Sequence, residues 1–311
     1  MSTLSPPSQP AQPIQPARQP RIRQRTREAI EGYIFVLPAV LGFVLFTLYP
    51  MVASLGLSFT EYNLISSPEW IGVDNYTRMF QDEFFWRSVR ITVTYAVVGL
   101  PLGLILGLLV ALLLNQRVPG ITIWRSLYVL PSVISGAAVV VLWRWLFNPE
   151  FGLVNVMLDY VGIDGPNWLG TTRWALPSLI LISLWGFGGT MLVFLAGLQG
   201  VPSELYEAVE VDGGNAWHKF RNVTLPMLSP VILFNLVIGL IYSFQFFTEP
   251  FALTEGGPEN STLVYLLYLY RNAFNYFEMG YASAMAIVVF VVIMIATIVQ
   301  FALGRFWVHY D

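Results

Sequence analysis

The 311-residue sequence has no cysteine, a single lysine and two histidines, and only 11 % of its residues are charged. Without cysteine there can be no disulfide, no thiol nucleophile and no thiolate metal site. His218 and His309 stand too far apart to begin a recognisable metal cluster. The lone Lys219 lies between His218 and Phe220, so the chain lacks the phosphate-binding pattern Gly-x-x-x-x-Gly-Lys-Ser/Thr, whose lysine reaches the terminal phosphates. Basic and acidic residues nearly balance, at 16 and 19, and the basic ones are scattered. That leaves no electrostatic footprint for nucleic acid.

Hydrophobic residues, by contrast, make up 56 % of the chain, too many for the polar remainder to cover a soluble globule of this length. The sequence therefore reads as an all-α integral membrane protein. Residues 1–28 form a Pro- and Gln-rich tail that offers no apolar periodicity to bury, and the expectation is disorder. Arg18, Arg21, Arg23, Arg25 and Arg27 precede the first apolar run, a pattern that retains the N-terminus in the cytoplasm. Residues 29–311 supply six segments long enough to cross a hydrocarbon core of roughly 30 Å. They are placed near Tyr33 to Phe59, Ile91 to Leu114, Ile123 to Phe147, Trp174 to Leu198, Pro230 to Phe251 and Gly280 to Phe306. An even number of crossings returns the C-terminus to the cytoplasm and puts the loop after the fourth span, about 200–229, on the same side. Gly99, Gly103, Gly107 and Ala111 form a smooth stripe along the second span that admits another helix closely, within this chain or from another subunit.

The 200–229 loop is charged and irregular, so it must lie at a water-facing surface. Pro202 and Ser203 open a short helix with Glu204 and Glu207 in its early turns, where the helix dipole favours acids. Gly213 and Gly214 end that helix, and Asn215 caps a second one carrying Trp217, Phe220 and Val223. The product is a helix-turn-helix platform with apolar side chains exposed to a partner.

Glu207-Ala208-Val209, Gly213 and Val223-x-Leu225-Pro226 resemble the coupling motif of ABC-importer permeases: Glu-Ala-Ala, three residues, Gly, nine residues, Ile-x-Leu-Pro. The spacing is intact. Val209 replaces the second Ala, Val223 replaces Ile, and Gly214 stands where Ala is usual, an exchange expected to loosen the turn. Trp70-Ile71-Gly72, Trp143 to Pro149, Asn167-Trp168-Leu169, Leu253 to Pro258 and Met279 to Ala284 are similar to the carbohydrate-uptake branch, the maltose- and glycerol-3-phosphate-type permeases.

The resemblance implies a type I importer permease: six transmembrane helices with a cytoplasmic coupling loop. It implies pairing with a second homologous permease, a dimer of ATP-binding subunits and an extracytoplasmic solute-binding protein, with a sugar as cargo. Glu207, Ala208, Asp212, Gly213, Leu225 and Pro226 become the ATPase-coupling residues. The chain itself would be no enzyme and would bind no cofactor, with ATP and Mg held on the partner ATPase subunits.

Sugars are recognised by aromatic faces together with amides and carboxylates in a cavity. The fifth span offers Asn235, Tyr242, Gln245, Phe246 and Glu249, with 242, 245, 246 and 249 on one face at helical spacing and Gln245 and Phe246 foremost. Trp185, in the fourth span, is a further pathway candidate. A gradient-driven transporter would need ionisable groups deep in its spans, and their centres contain none. A membrane enzyme would need a nucleophile, base or metal set, and the carboxylates lie in loops without a partnering histidine.

Overall fold

The computed structural model describes residues 21–116 and 118–309. The first twenty residues of the expected tail lie outside them. Helix α1 (Arg21–Phe43) already includes residues 21–28, a correction to a disordered boundary at 28. A π-helical turn over Val44–Leu48 joins α1 to α2 (Tyr49–Leu57), and Thr26–Leu57 together are long and apolar enough to cross a membrane. The chain divides into two compact units, residues 1–53 and 54–311.

The second unit opens with a two-residue hairpin, β1 (Thr60–Glu61) against β2 (Glu69–Trp70), with Thr60 opposite Trp70. Helix α3 (Asp74–Gln81) leads to α4 (Glu83–Leu114), whose N-cap Asp82 accepts a bond from the Phe84 N–H at 2.8 Å. At 32 residues α4 is about 48 Å long and runs unbroken through Pro101. Its last carbonyls would be orphaned, and the Arg125 guanidinium donates to Leu114 O at 2.8 Å.

Two of the expected spans are bent within their length, and a third bend precedes the fifth. The third consists of α5 (Ile121–Val133) and α6 (Gly136–Leu146), bent by 96°. Each half is too short to cross alone. Pro131 removes a backbone donor just before the break, and Ser135 starts the helix afresh by accepting from Ala138 N–H. After α7 (Leu153–Asp159), the fourth span is α8 (Thr172–Trp185) and α9 (Gly188–Gln199), bent by 45° around Gly186 and Phe187. A Cβ on Gly188 would come within 2.6 Å of Tyr128 O, so only glycine lets α5 approach this corner. The fifth span is α13 (Ser229–Phe244), bent by 62° from the preceding segment. The sixth is α15 (Met279–Gly304), with the short α14 (Tyr265–Tyr270) before it. Counting each bent pair once, the described residues supply six candidate spans.

Helix α4 is the axis of this unit, packed by α8, α9, α13 and α14. Its glycine stripe serves packing within the chain: Gly99 faces Ile180, Gly103 faces Leu184, and a Cβ on Gly107 would meet Thr190 at 2.9 Å. Because 99, 103 and 107 pair with 180, 184 and 190, α4 runs parallel to α8 and α9. Two apolar cores result. One, around Met79, Phe85, Leu179, Tyr265 and Tyr281, fills the Asp82 end. The other, around Val110, Ala111, Met191, Phe194 and Leu228, fills the end that carries the 200–229 loop.

Candidate functional site

Helix α10 (Ser203–Val211) begins after Pro202 with Glu204 in its first turn, as the sequence pattern requires. It ends in a Schellman turn: Gly213 adopts φ +77°, its N–H donates to Glu210 O at 3.0 Å, and the Gly214 N–H donates to Val209 O at 2.8 Å. Asn215 then caps α11 (Ala216–Lys219), accepting from Trp217 and His218 N–H groups while His218 Nδ1 returns to the Asn215 N–H. A π-helical turn over Phe220–Thr224 leads to α12 (Leu225–Met227) and so into α13. Lys219 pairs with Glu210, and the Tyr206 hydroxyl lies 3.2 Å from Thr224 Oγ1, which ties the two short helices together. Glu207, Ala208, Asp212, Gly213 and Leu225 are exposed and Pro226 is half-buried, so the six expected coupling residues share one continuous loop. Val211 is 88 % exposed and Trp217, whose ring lies 5.6 Å from that of Phe220, is 63 % exposed.

The expectation of a loose turn at Gly214 is not met. A Cβ at 214 would press into Cγ1 of Val209 and lie 2.9 Å from Val209 O. Val209 Cγ1 therefore fills part of the space that an alanine at 214 would need, and the Val209 carbonyl limits the rest. Gly214→Ala alone should destabilise the loop by about 1–3 kcal/mol through overpacking. Val209→Ala with Gly214→Ala should recover only the part of the loss due to Val209 Cγ1, because Val209 O still lies 2.9 Å from the added Cβ. Thermal stability and uptake across that double-mutant cycle check this, and additive effects would contradict it.

The expected pathway residues are divided between different surroundings. Helix α13 ends at Phe244, with Gln245 as its C-cap, so the helical face joining 242, 245, 246 and 249 does not form. Tyr242 and Asn235 line a cavity of about 420 Å³ between α4, the α8/α9 corner and α13, together with Tyr95, Ser132, Phe187 and Thr190. Gln245 lines a different cavity of about 840 Å³ between α13 and α15, with Phe247, Thr248, Phe290 and Thr297. Phe246 is buried and stacks on Tyr95, their centroids 4.0 Å apart and planes 4° apart, and it lines neither cavity. Glu249 is half-buried beyond the helix end. Trp185 packs edge-on against Trp143 at 5.9 Å, while its neighbour Phe187 reaches the first cavity. Trp143 also packs on Phe147.

Sequence reasoning missed Tyr95, Ser132 and Thr190 in the first cavity and Thr297 in the second. It also missed the cluster at the far end of α4. There Asp82 Oδ2 accepts from the Tyr268 hydroxyl at 2.5 Å and the Tyr281 hydroxyl at 2.7 Å. Arg78 stacks on the Tyr281 ring and pairs with Glu278 at 2.7 Å. Burial, with the Asp82 carboxylate beside it, pushes the Tyr268 phenol above its ordinary range and holds it as a donor. Residues from three segments remote in sequence make this cluster, so no local pattern announces it.

A bundle of broken apolar helices, cavities between them lined in part by polar side chains and a capped loop at one end defines a membrane transport subunit. The chain belongs to the family of binding-protein-dependent transport system inner membrane components, which it matches over residues 99–308. It is 46 % identical over 294 residues to YesP of Bacillus subtilis, a probable ABC transporter permease, covering 93 % of this chain and 95 % of that one. It is 33 % identical over 285 residues to the trehalose/maltose transport permease MalF of Thermococcus litoralis, covering 90 % and 95 %. Among solved structures, a bacterial importer of the acidic polysaccharide alginate superposes with a TM-score of 0.81 at 27 % identity, covering 92 % and 99 %. A second structure of an alginate transporter, in complex with its pentasaccharide-bound periplasmic protein, gives 0.82 at 26 % identity, covering 92 % and 98 %. The chain is thus a multi-pass permease subunit of an importer that works with a solute-binding protein, with the type I fold expected.

Proposed function

We propose that this subunit forms half of the path by which a saccharide enters the cell, driven by ATP hydrolysed on other chains. A second homologous permease would complete the path, and a dimer of ATP-binding subunits would dock on the 207–226 loop and hold the ATP and Mg. The loop and both termini would face the cytoplasm, while the Asp82 end would meet the solute-binding protein. Relatives named for trehalose and maltose and for alginate favour a sugar as cargo. The mixed aromatic and amide lining of the two cavities, with Tyr242, Asn235, Phe247 and Gln245, suits sugar rings and hydroxyls.

The observation that carries this reading is the capped loop presenting Val211 and Trp217 to solvent. Such a surface fits a cleft in a soluble partner. The sequence has no cysteine, so a Val211→Cys thiol is unique within the chain. In the purified complex it should cross-link to an ATP-binding subunit bearing a thiol at its surface cleft. Cross-linking to the second permease alone, with the ATPase bound, would contradict the assignment.

A further inference from the structure

A further cavity, apart from the two that hold the pathway residues, lies where the second and fourth spans end and the third begins. It measures about 400 Å³ and opens between the end of α4, the start of α5, the end of α9 and the start of α10. Its polar lining is Asn115, Gln116, Arg125, Gln199, Ser203 and Tyr206. No Asp or Glu lines it, so Arg125 is its single charge.

The guanidinium is anchored but not neutralised. Nε and Nη2 of Arg125 donate to Leu114 O at 3.3 and 2.8 Å, which holds the half-buried side chain across the end of α4. Among the described residues the ion pairs are Arg27–Glu31, Arg78–Glu278 and Lys219–Glu210, so Arg125 has no carboxylate partner there. The rest of its fork is left to donate into the cavity. The side chains of Asn115, Gln116, Gln199 and Ser203 make no hydrogen bond among the described residues either. A fixed cation ringed by spare amide and hydroxyl donors is complementary to a phosphate.

Depth in the membrane narrows the source of that phosphate. Beyond Arg90, the last charged residue of α4, the stretch from Ile91 to Leu114 rises about 36 Å, against a hydrocarbon core of roughly 30 Å. Leu114 and the cavity beside it therefore sit at headgroup level. Next to Arg125 on α5, Ile123, Trp124 and Leu127 are exposed, as is Leu113 on the last turn of α4. A tryptophan beside a cation at the end of a span belongs at the boundary between headgroups and acyl chains. A phosphate that carries acyl chains uses the cavity and this apolar surface together, whereas a free anion uses the cavity alone.

We infer that this cavity binds the headgroup of an anionic phospholipid, with Arg125 as its counter-ion and the acyl chains on the exposed apolar surface beside it. Basic pockets between spans are where such headgroups are held. The volume lies near the lower bound of small-ligand sites, roughly 300–1,000 Å³, which suits a headgroup without its tails. A headgroup here bridges Arg125 of α5 to Ser203 and Tyr206 of α10. The Tyr206 hydroxyl already meets Thr224 Oγ1, so the lipid braces the 200–229 loop against the ends of the spans. The inference rests on the membrane-spanning fold and is independent of the cargo.

The test takes the full-length chain in its purified complex, washed of native lipid in detergent. Its thermal midpoint is followed against short-chain phosphatidylglycerol, short-chain phosphatidylcholine and inorganic phosphate. Phosphatidylglycerol should raise the midpoint saturably, and the other two should leave it in place. Arg125→Gln and Gln199→Glu should each raise the half-saturating phosphatidylglycerol concentration by about fivefold or more. The Gln199 side chain is exposed and bonds nothing among the described residues, so Gln199→Glu decides the matter if losing the Leu114 bonds leaves Arg125→Gln unfolded. An unchanged concentration in Gln199→Glu, an equal response to phosphatidylcholine, or no response of the wild type would each overturn the lipid site. An equal response to inorganic phosphate would overturn the lipid as occupant, since the acyl chains would then add nothing.

Discussion

Gly213→Val should reduce ATP-driven uptake by about tenfold or more while the membrane spans remain folded. Gly213 sits at φ +77°, the left-handed region, where a side chain adds about 1–2 kcal/mol of strain and a β-branched one is least tolerated. No neighbouring atom lies within 4 Å of a Cβ at this position, so the cost is conformational and confined to the turn. Relieving it means unwinding the stop of α10, losing the bonds from Gly213 to Glu210 and from Gly214 to Val209, and moving Val211 and Trp217. Gly213→Asn, which accepts the same backbone, should retain most of the uptake. Equal loss in both variants would mean that the side chain at 213 is itself in contact with the partner. Full uptake in Gly213→Val would mean that the turn does not transmit the motion.

Asp82→Ala should be the most destabilising single change at the opposite end of the bundle, by about 4–7 kcal/mol. The carboxylate caps α4 through the Phe84 N–H, worth roughly 1 kcal/mol, and accepts two phenolic hydrogen bonds, each worth about 1.5–3 kcal/mol when the acceptor is charged. Removing it strands two hydroxyls, and that of Tyr281 belongs to a side chain only 2 % exposed. Asp82→Asn keeps an acceptor and should lose about half as much. Thermal unfolding of the purified complex measures both. A loss under 1 kcal/mol for alanine would show that the tyrosines find other partners and that the cluster does not hold α4, α14 and α15 together.

The 200–229 loop was legible because its signals are local. Pro202, Glu204, Gly213, Gly214 and Asn215 act on backbone groups within a few residues of themselves, and the caps formed where the pattern placed them. The crowding between Val209 and position 214 was not legible, since each reads separately as a small exchange and only the fold of the turn sets them against each other. Hydropathy gave the number of spans but not their breaks. An apolar run looks the same whether Ser135 recaps the helix or Gly188 lets a neighbour approach. The pathway residues suffered most, because a helical face projected through Gln245 fails once α13 stops at Phe244. Tyr242 and Gln245 then fall in separate cavities and Phe246 turns inward to Tyr95.

The most direct measurement of the central claim is saccharide uptake into vesicles that hold this chain with its partner permease and solute-binding protein, with and without the ATP-binding subunits and ATP. The account predicts uptake only when the ATP-binding subunits and ATP are both present. Equal uptake in vesicles lacking the ATPase would contradict it and make the chain a gradient-driven or passive carrier.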